Sequence, residues 1–191
     1  MPRLNVIIAS TRPGRSGPAV ADWFTRIAEK HGKFEVHLVD LAEVGLPLLD
    51  EPNHPSEREY TKQHTKDWSA TVDAADAFVF VAPEYNYSIN AALKNAIDYL
   101  FYEWQYKPVG IVSYGNTSAG LRAAQMTKQV VTTLKMVPVP ESVAIHFIGQ
   151  HIDSAGKFAG TDALEASAEG MLEELYRIAE ALEPLRVKAS T

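Results

Sequence analysis

Polar and aromatic side chains cluster in residues 83–90 of this chain, directly after an apolar run at residues 77–82. The cluster reads Pro-Glu-Tyr-Asn-Tyr-Ser-Ile-Asn. The groups of Asn86 and Ser88 can hydrogen-bond the edge of a ring or a sugar chain, and the two phenol rings can cover a flat ligand by stacking. The alternative is a surface loop whose tyrosines pack on the helix behind it.

A second polar segment, residues 9–18, follows the first apolar run and holds three hydroxyls, two arginines and two glycines. A helix that begins after such a loop presents free backbone N–H groups and a partial positive charge. The segment therefore predicts an anion site, and phosphate is the common anion. The hydroxyls of Ser10 and Ser16 can donate to phosphate oxygens, and Arg12 or Arg15 can add charge-assisted bonds. The alternative is a solvated turn with a serine at the helix N-cap.

A third loop, residues 114–120, follows another apolar run and contains two glycines, which let a backbone approach a ligand closely. Backbone N–H groups here can contact the carbonyl edge of a ring, although an ordinary strand-to-helix turn is the alternative. The three loops follow the first, third and fourth apolar runs. If those runs are neighbouring parallel strands, their carboxyl ends form one crevice, where open α/β sheets bind ligands. A phosphate site beside a flat-ring site indicates flavin mononucleotide (FMN).

Short apolar runs alternate with helical patterns along the whole chain. The runs lie at 4–9, 34–39, 77–82, 109–114 and 142–148, and the helical patterns at 18–30, 56–75, 91–102, 120–135 and 162–183. Several runs are apolar at consecutive positions, which is typical of strands that are buried on both faces of a parallel sheet. The pattern predicts an α/β, flavodoxin-like three-layer sandwich with a five-stranded parallel sheet in the order 2-1-3-4-5.

The composition narrows the function further. The length of 191 residues suits one domain over 1–191, and the net charge of −6 argues against a nucleic-acid partner. No cysteine is present, which excludes thiolate catalysis and disulfides. No apolar run approaches the roughly 18 residues of a transmembrane helix, and no secretion signal opens the sequence, so we expect a cytoplasmic protein without a membrane partner. The six histidines form no recognised ligand pattern, and we expect no metal.

The motifs of these loops resemble those of the NADPH-dependent FMN reductase family, flavodoxin-like proteins that include quinone, chromate and azo-dye reductases. The family's P-E-Y-N-x-S matches residues 83–88 without exception, and its L-K-N-A-I-D matches residues 93–98. Asn90 and Ala91 stand where Pro-Gly is common. The phosphate motif G-S-x-R-x-x-S matches residues 9–16 except for Ala9, and residues 113–120 keep part of the glycine-rich third motif. The resemblance covers roughly residues 4–180.

The resemblance implies a non-covalent FMN that takes a hydride at its N5 from NADPH or NADH and passes electrons to a flavin, quinone or other small acceptor in ping-pong order. The chemistry is then the cofactor's, and no catalytic side chain is expected. The implied cofactor-binding residues are Ser10, Arg12, Ser16 and Gly17 for the phosphate, Pro83, Glu84, Tyr85, Asn86 and Ser88 for the ring and ribityl chain, and Ser113, Gly115 and Asn116 for the pyrimidine edge. Arg15 is a candidate for the phosphate of NADPH.

Family membership also implies a homodimer or homotetramer. Helix 91–102 and the aromatic run 99–104 are candidate interface elements, with ordinary core packing as the alternative. Two other functions remain open from the sequence. A flavodoxin-type electron carrier would bind FMN without oxidising NADPH itself, and a non-flavin interaction protein on the same fold would bind no FMN at all.

Overall fold

The computed structural model describes residues 1–186, so residues 187–191 of the predicted domain lie outside the described part. The strands are β1 (Arg3–Ile8), β2 (Glu35–Asp40), β3 (Ala77–Tyr85), β4 (Ser88–Ile89), β5 (Pro108–Tyr114) and β6 (Val137–Ile145). The α-helices are α1 (Gly17–His31), α2 (Leu41–Val44), α3 (Gln63–Asp73), α4 (Ala91–Asp98), α5 (Leu121–Thr133) and α6 (Asp162–Leu182). Short 3₁₀ turns occupy Pro55–Glu57, Tyr102–Trp104, Ile148–Gln150 and Glu183–Leu185.

Five parallel strands form the sheet in the order β2-β1-β3-β5-β6. This arrangement confirms the predicted α/β sandwich and the predicted order of its five main strands. The sixth strand, β4, was not predicted, because it is two residues long and pairs antiparallel with the end of β3. Asn86 and Tyr87 connect β3 to β4 and have φ values of 50° and 71°, as a two-residue hairpin turn of type I′ requires.

The sequence predicted the last strand at residues 142–148. This prediction lies too far along the chain, because β6 already starts at Val137. Pro138 and Pro140 argue against a strand in the sequence, but β6 lies at the edge of the sheet, where a strand tolerates missing N–H groups. The register between β6 and β5 shifts around Gly110, and this irregularity accommodates the proline-containing part of β6.

Two predicted helices are longer than the observed ones. The helix predicted over 56–75 starts only at Gln63, because Arg58 has a left-handed φ of 56° and ends a separate 3₁₀ turn. The helix predicted over 91–102 ends at Asp98. Phe101 has a non-helical backbone, and its N–H donates to the side chain of Glu103 instead of continuing the helix.

The core has one apolar cluster on each face of the sheet. Helices α1 and α6 bury Phe24 and Leu172 on one face, and α3 and α4 bury Trp68 and Ile97 on the other. Tyr99, Leu100 and Trp104 of the aromatic run belong to this second cluster, so most of that run is core and not surface. No helix within residues 1–186 is both long and apolar enough to span a bilayer.

Candidate functional site

Three loops meet at the carboxyl ends of β1, β3 and β5, which are adjacent in the sheet. The first is the phosphate loop, residues 9–16, between β1 and α1. The second is the hairpin that β3 and β4 form, and the third is residues 115–120 between β5 and α5. The topology thus brings together the three segments that the sequence singled out, at the edge where open α/β sheets bind ligands.

The phosphate loop leaves donors free at the start of α1. Ser16 is the N-cap of α1, but its side chain makes no capping bond. Arg12 is exposed and forms no ion pair within residues 1–186. A helix N-terminus without a side-chain cap, next to a free guanidinium, suits an anion.

Arg15 has a different position from Arg12. Its Nη1 donates to the carbonyl oxygen of Ser10 at 2.6 Å, and its Nη2 donates to Asp40 at 2.6 Å. Burial raises the pKa of the Asp40 carboxyl, but the bonds from Arg15 outweigh this and the pKa lies below its usual value. Both side chains are mostly buried. Arg15 therefore fixes the shape of the phosphate loop, and its guanidinium is not free for the phosphate of NADPH.

The hydroxyl of Ser10 is buried beneath the phosphate loop and has no hydrogen-bond partner. The start of α1 passes close above it, since a Cβ placed on Gly17 would lie 2.3 Å from Ser10 Oγ and 3.0 Å from the hydroxyl of Tyr114. Only glycine fits at position 17. Burial raises the pKa of Tyr114 to about 12, although the neighbouring Ser10 hydroxyl lowers it, so the phenol stays protonated at neutral pH. The two hydroxyls lie beside each other, and neither has a partner elsewhere in the described protein.

The hairpin is held in place by an ion pair with the start of α5. Arg122 Nε donates to Glu84 at 2.6 Å, and the backbone N–H of Arg122 donates to the other carboxylate oxygen at 3.1 Å. Burial raises the pKa of Glu84, but the bonds and charge of Arg122 and a hydrogen bond from Ser118 together outweigh this, and the pKa lies below its usual value. The guanidinium also lies 3.6 Å above the ring of Tyr87. The Glu84 carboxylate therefore positions the hairpin.

The other hairpin residues that the sequence predicted to bind the cofactor differ in the exposure of their side chains. Tyr85 and Asn86 are exposed at its tip, and Ser88 is half-buried opposite Tyr85 in the hairpin register. Pro83 is buried. Of these side chains, Tyr85, Asn86 and Ser88 are the ones that a ligand over the hairpin can reach.

Fewer hydrogen-bond donors of the third loop are free for a ligand than the sequence predicted. The N–H of Gly115 donates to Ile145 O at 3.2 Å, so it is already used within the protein. Asn116 is exposed, whereas Ser113 is buried and its hydroxyl has no partner. The loop packs against its own start, because a Cβ on Gly120 would lie 2.8 Å from the backbone N of Tyr114.

The chemistry of this crevice fits FMN. Buried hydroxyls without partners are rare in folded proteins and indicate a ligand or a specific role. Those of Ser10 and Tyr114 lie near the start of α1, and that of Ser113 lies near the end of the same strand as Tyr114 but on the opposite face of the sheet. The uncapped α1 and Arg12 suit the phosphate. The exposed aromatic hairpin suits a flat ring. Within the described residues no group of three or more His, Asp or Glu side chains could hold a metal.

Sequence reasoning missed Arg122, Tyr114 and Asn90 as parts of the site. Arg122 lies in the first turn of α5, and no motif marks it as the partner of Glu84. Tyr114 was included in the third predicted loop, but no role was assigned to its hydroxyl. Asn90 is buried, and its Nδ2 donates to the carbonyl oxygen of Ala9 at 2.7 Å. The departure from Pro-Gly at positions 90 and 91 was the one available signal for Asn90.

Comparison with known proteins gives concordant results. The model of the NADPH-dependent FMN reductase family matches residues 2–150. An NAD(P)H-dependent FMN reductase of Schizosaccharomyces pombe is 40% identical over 146 residues, which are 75% of this chain and 72% of that protein. An NAD(P)H-dependent FMN reductase of a Nectria species is 33% identical over 180 residues, 91% of this chain and 85% of the relative.

Solved structures agree on the fold. The flavoenzyme FerB of Paracoccus denitrificans, an NAD(P)H:acceptor oxidoreductase, superposes with a TM-score of 0.75 at 20% identity, over 95% of this chain and 98% of FerB. At this identity the likeness supports the α/β sandwich fold and nothing about its chemistry.

Proposed function

The chain belongs to the NADPH-dependent FMN reductase family, and from this premise we propose that its FMN lies in the crevice between the phosphate loop, the hairpin and the third loop. The protein is an FMN-dependent NAD(P)H oxidoreductase. When bound, FMN accepts a hydride from NADPH or NADH and passes electrons to a second substrate. The residues of this chain bind, orient and shield, and we assign none of them a catalytic proton transfer.

The phosphate end of the proposed site is the start of α1. Ser10, Ser16 and Arg12 supply the donors, and Gly17 allows the helix to begin directly above them. The support is the missing side-chain cap at Ser16, the unpartnered Ser10 hydroxyl and the exposed Arg12. Arg15 contributes indirectly, since its bonds to Asp40 and to Ser10 O hold the loop in shape.

The ring end of the proposed site is the hairpin. Tyr85 covers the ring, and Asn86 and Ser88 hydrogen-bond its edge or the ribityl chain. Pro83 lines the crevice, and Glu84 holds the hairpin through Arg122. At the pyrimidine edge the donors are Asn116 and the hydroxyl of Ser113, while Gly115 allows close approach of the backbone.

The proposed acceptor is a small molecule, because the hairpin side chains around the ring site are exposed and leave it open. We further propose a homodimer or homotetramer in the cytoplasm that binds neither membrane nor nucleic acid. Leu48 and Leu49 support the assembly, since they are exposed apolar side chains near the start of α4. The net charge of −6 supports the absence of a nucleic-acid partner.

The observation that carries the proposed site is the buried hydroxyl pair of Ser10 and Tyr114 beside the uncapped start of α1. The test is the visible absorption of the purified protein after incubation with FMN, followed by NADPH without oxygen. We expect bound flavin that bleaches at catalytic rates. Bound flavin that stays oxidised would indicate a flavodoxin-type carrier, and no bound flavin would refute the site.

A further inference from the structure

The hydrogen-bond ladder between β1 and β3 is interrupted at the entrance to the phosphate loop. The register pairs Ile8 with Val81, and the N–H of Ala9 donates to Val81 O at 3.0 Å. In a parallel ladder the bonds alternate between strands, so the next donor is the N–H of residue 83, and its acceptor is the carbonyl oxygen of Ala9. Residue 83 is Pro83, which has no N–H. The backbone of β3 therefore cannot bond the last carbonyl before the phosphate loop.

The side chain of Asn90 supplies the missing donor. The hairpin pairs Glu84 with Ile89, so the chain returns with Asn90 beside Pro83. Asn90 Nδ2 donates to Ala9 O at 2.7 Å, and Asn90 is only 2% exposed. A buried carbonyl without a partner costs about 1–3 kcal/mol. The Asn90 bond removes that cost at Ala9 O, although the Oδ1 of Asn90 is itself buried without a partner.

We propose that Asn90 is a positioning residue that joins the hairpin to the phosphate loop, so that the ring and the phosphate of FMN bind to one rigid unit. Ala9 directly precedes Ser10, whose own carbonyl is held by Arg15 at 2.6 Å. Two side chains thus fix both carbonyls at the start of the loop, Asn90 from the end of the hairpin and Arg15 from within the loop itself. The inference rests on the proposed function, because it assigns the ring to the hairpin and the phosphate to residues 9–16.

The test compares two flavins that differ only in the phosphate. Dissociation constants of FMN and riboflavin are measured by flavin fluorescence quenching for the wild type and for Asn90→Asp. The aspartate has nearly the same shape but, when ionised, cannot donate to Ala9 O. We expect FMN to bind about tenfold more weakly than in the wild type, with a much smaller change for riboflavin. The FMN preference over riboflavin therefore falls.

A pH series separates positioning from a general loss of structure. A buried carboxyl has a raised pKa, and its protonated form regains an O–H donor toward Ala9 O. In Asn90→Asp we therefore expect the FMN preference to recover as the pH falls toward 5, whereas Asn90→Ala, which has no such group, stays low at every pH.

Asn95→Asp is the matched control on the same helix. Asn95 Nδ2 also donates to a backbone carbonyl at 2.7 Å, that of Pro47, which lies outside the three loops of the site. We expect this control to keep the wild-type FMN preference. Hydrogen exchange of residues 10–16 without flavin gives a readout independent of binding, and we expect faster exchange in both Asn90 variants but not in Asn95→Asp.

Wild-type binding of FMN tests the proposed function separately from Asn90. If the wild type binds FMN and both Asn90 variants lose FMN and riboflavin affinity equally, the coupling proposal is wrong. Unchanged affinities and unchanged exchange in the two variants would also overturn it. If the wild type binds no flavin, the proposed function fails, and the exchange experiment alone decides whether Asn90 orders the phosphate loop.

Discussion

Two groups of buried polar side chains, one at each end of the parallel sheet, differ in their hydrogen bonding, although the amino end also holds two unpartnered atoms, Gln105 Nε2 and Arg186 Nε. At the amino end of β5, Glu103 and Lys107 are buried and well bonded. The Glu103 carboxylate accepts bonds from the Tyr60 hydroxyl at 2.9 Å and Ser69 at 2.7 Å, and Lys107 Nζ donates to two backbone carbonyls at the end of α3. At the carboxyl ends, three buried hydroxyls have no partner, those of Ser10, Ser113 and Tyr114.

The difference separates stability from binding. A satisfied buried network stabilises a unique fold, and removing one member leaves the others unpaired. An unsatisfied buried donor destabilises the ligand-free protein, and a ligand that bonds to this donor removes the destabilisation. The amino end of the sheet therefore stabilises the molecule, and the carboxyl end is prepared for binding at some cost to stability. The predictions below test this division.

The largest effect is expected from Glu103→Ala. The variant leaves the Tyr60 hydroxyl, the Ser69 hydroxyl and the Phe101 N–H without their acceptor. We expect the free energy of unfolding to fall by about 3 kcal/mol, because three donors lose their acceptor at about 1 kcal/mol or more each. Urea denaturation measures it, with the exposed Glu141→Ala as control. A loss below about 1 kcal/mol would contradict the division.

At the same end of the sheet, we expect the buried Lys107 to make the free energy of unfolding depend on pH. Burial lowers the pKa of its ammonium from 10.5 to about 8. Between these values the folded protein has lost the proton while the unfolded chain still binds it, so the free energy of unfolding rises with pH. We expect the wild type to gain at most about 3 kcal/mol relative to Lys107→Met between pH 8 and 10.5. Parallel pH curves for the two proteins would refute the buried charge.

Ser10→Ala tests the carboxyl end. Because the Ser10 hydroxyl has no partner in the protein, its removal should leave the free energy of unfolding of the ligand-free protein unchanged or slightly higher. FMN should bind about tenfold more weakly, as expected for a lost bond to a charged group. Calorimetric binding and urea denaturation on the same samples separate the two effects. A less stable variant with normal FMN affinity would mean that the Ser10 hydroxyl stabilises the fold and does not bind FMN.

Sequence reasoning predicted the layers, the strand order and the meeting of the three loops, because apolar periodicity and βαβ handedness determine these features. It did not predict which side chains pair with one another. Arg12 and Arg15 are equivalent in the sequence, yet only Arg15 meets Asp40, which lies at the end of a different strand. Glu84 likewise finds Arg122 across 38 positions. Such pairs depend on packing and register, which no local pattern encodes.

The smallest expected effect comes from a pair of tyrosines that differ in their bonding. The buried Tyr114 hydroxyl has no partner, whereas the Tyr99 hydroxyl donates to Pro47 O at 3.1 Å and to Asp50 at 3.0 Å. Tyr114→Phe should therefore raise the free energy of unfolding of the ligand-free protein by up to about 1 kcal/mol, and Tyr99→Phe should lower it by about as much. Thermal and urea denaturation measure both. Because the two variants remove the same atom, opposite signs would show that the partners of the hydroxyl decide the outcome, and a loss in Tyr114→Phe would mean that its hydroxyl already supports the fold.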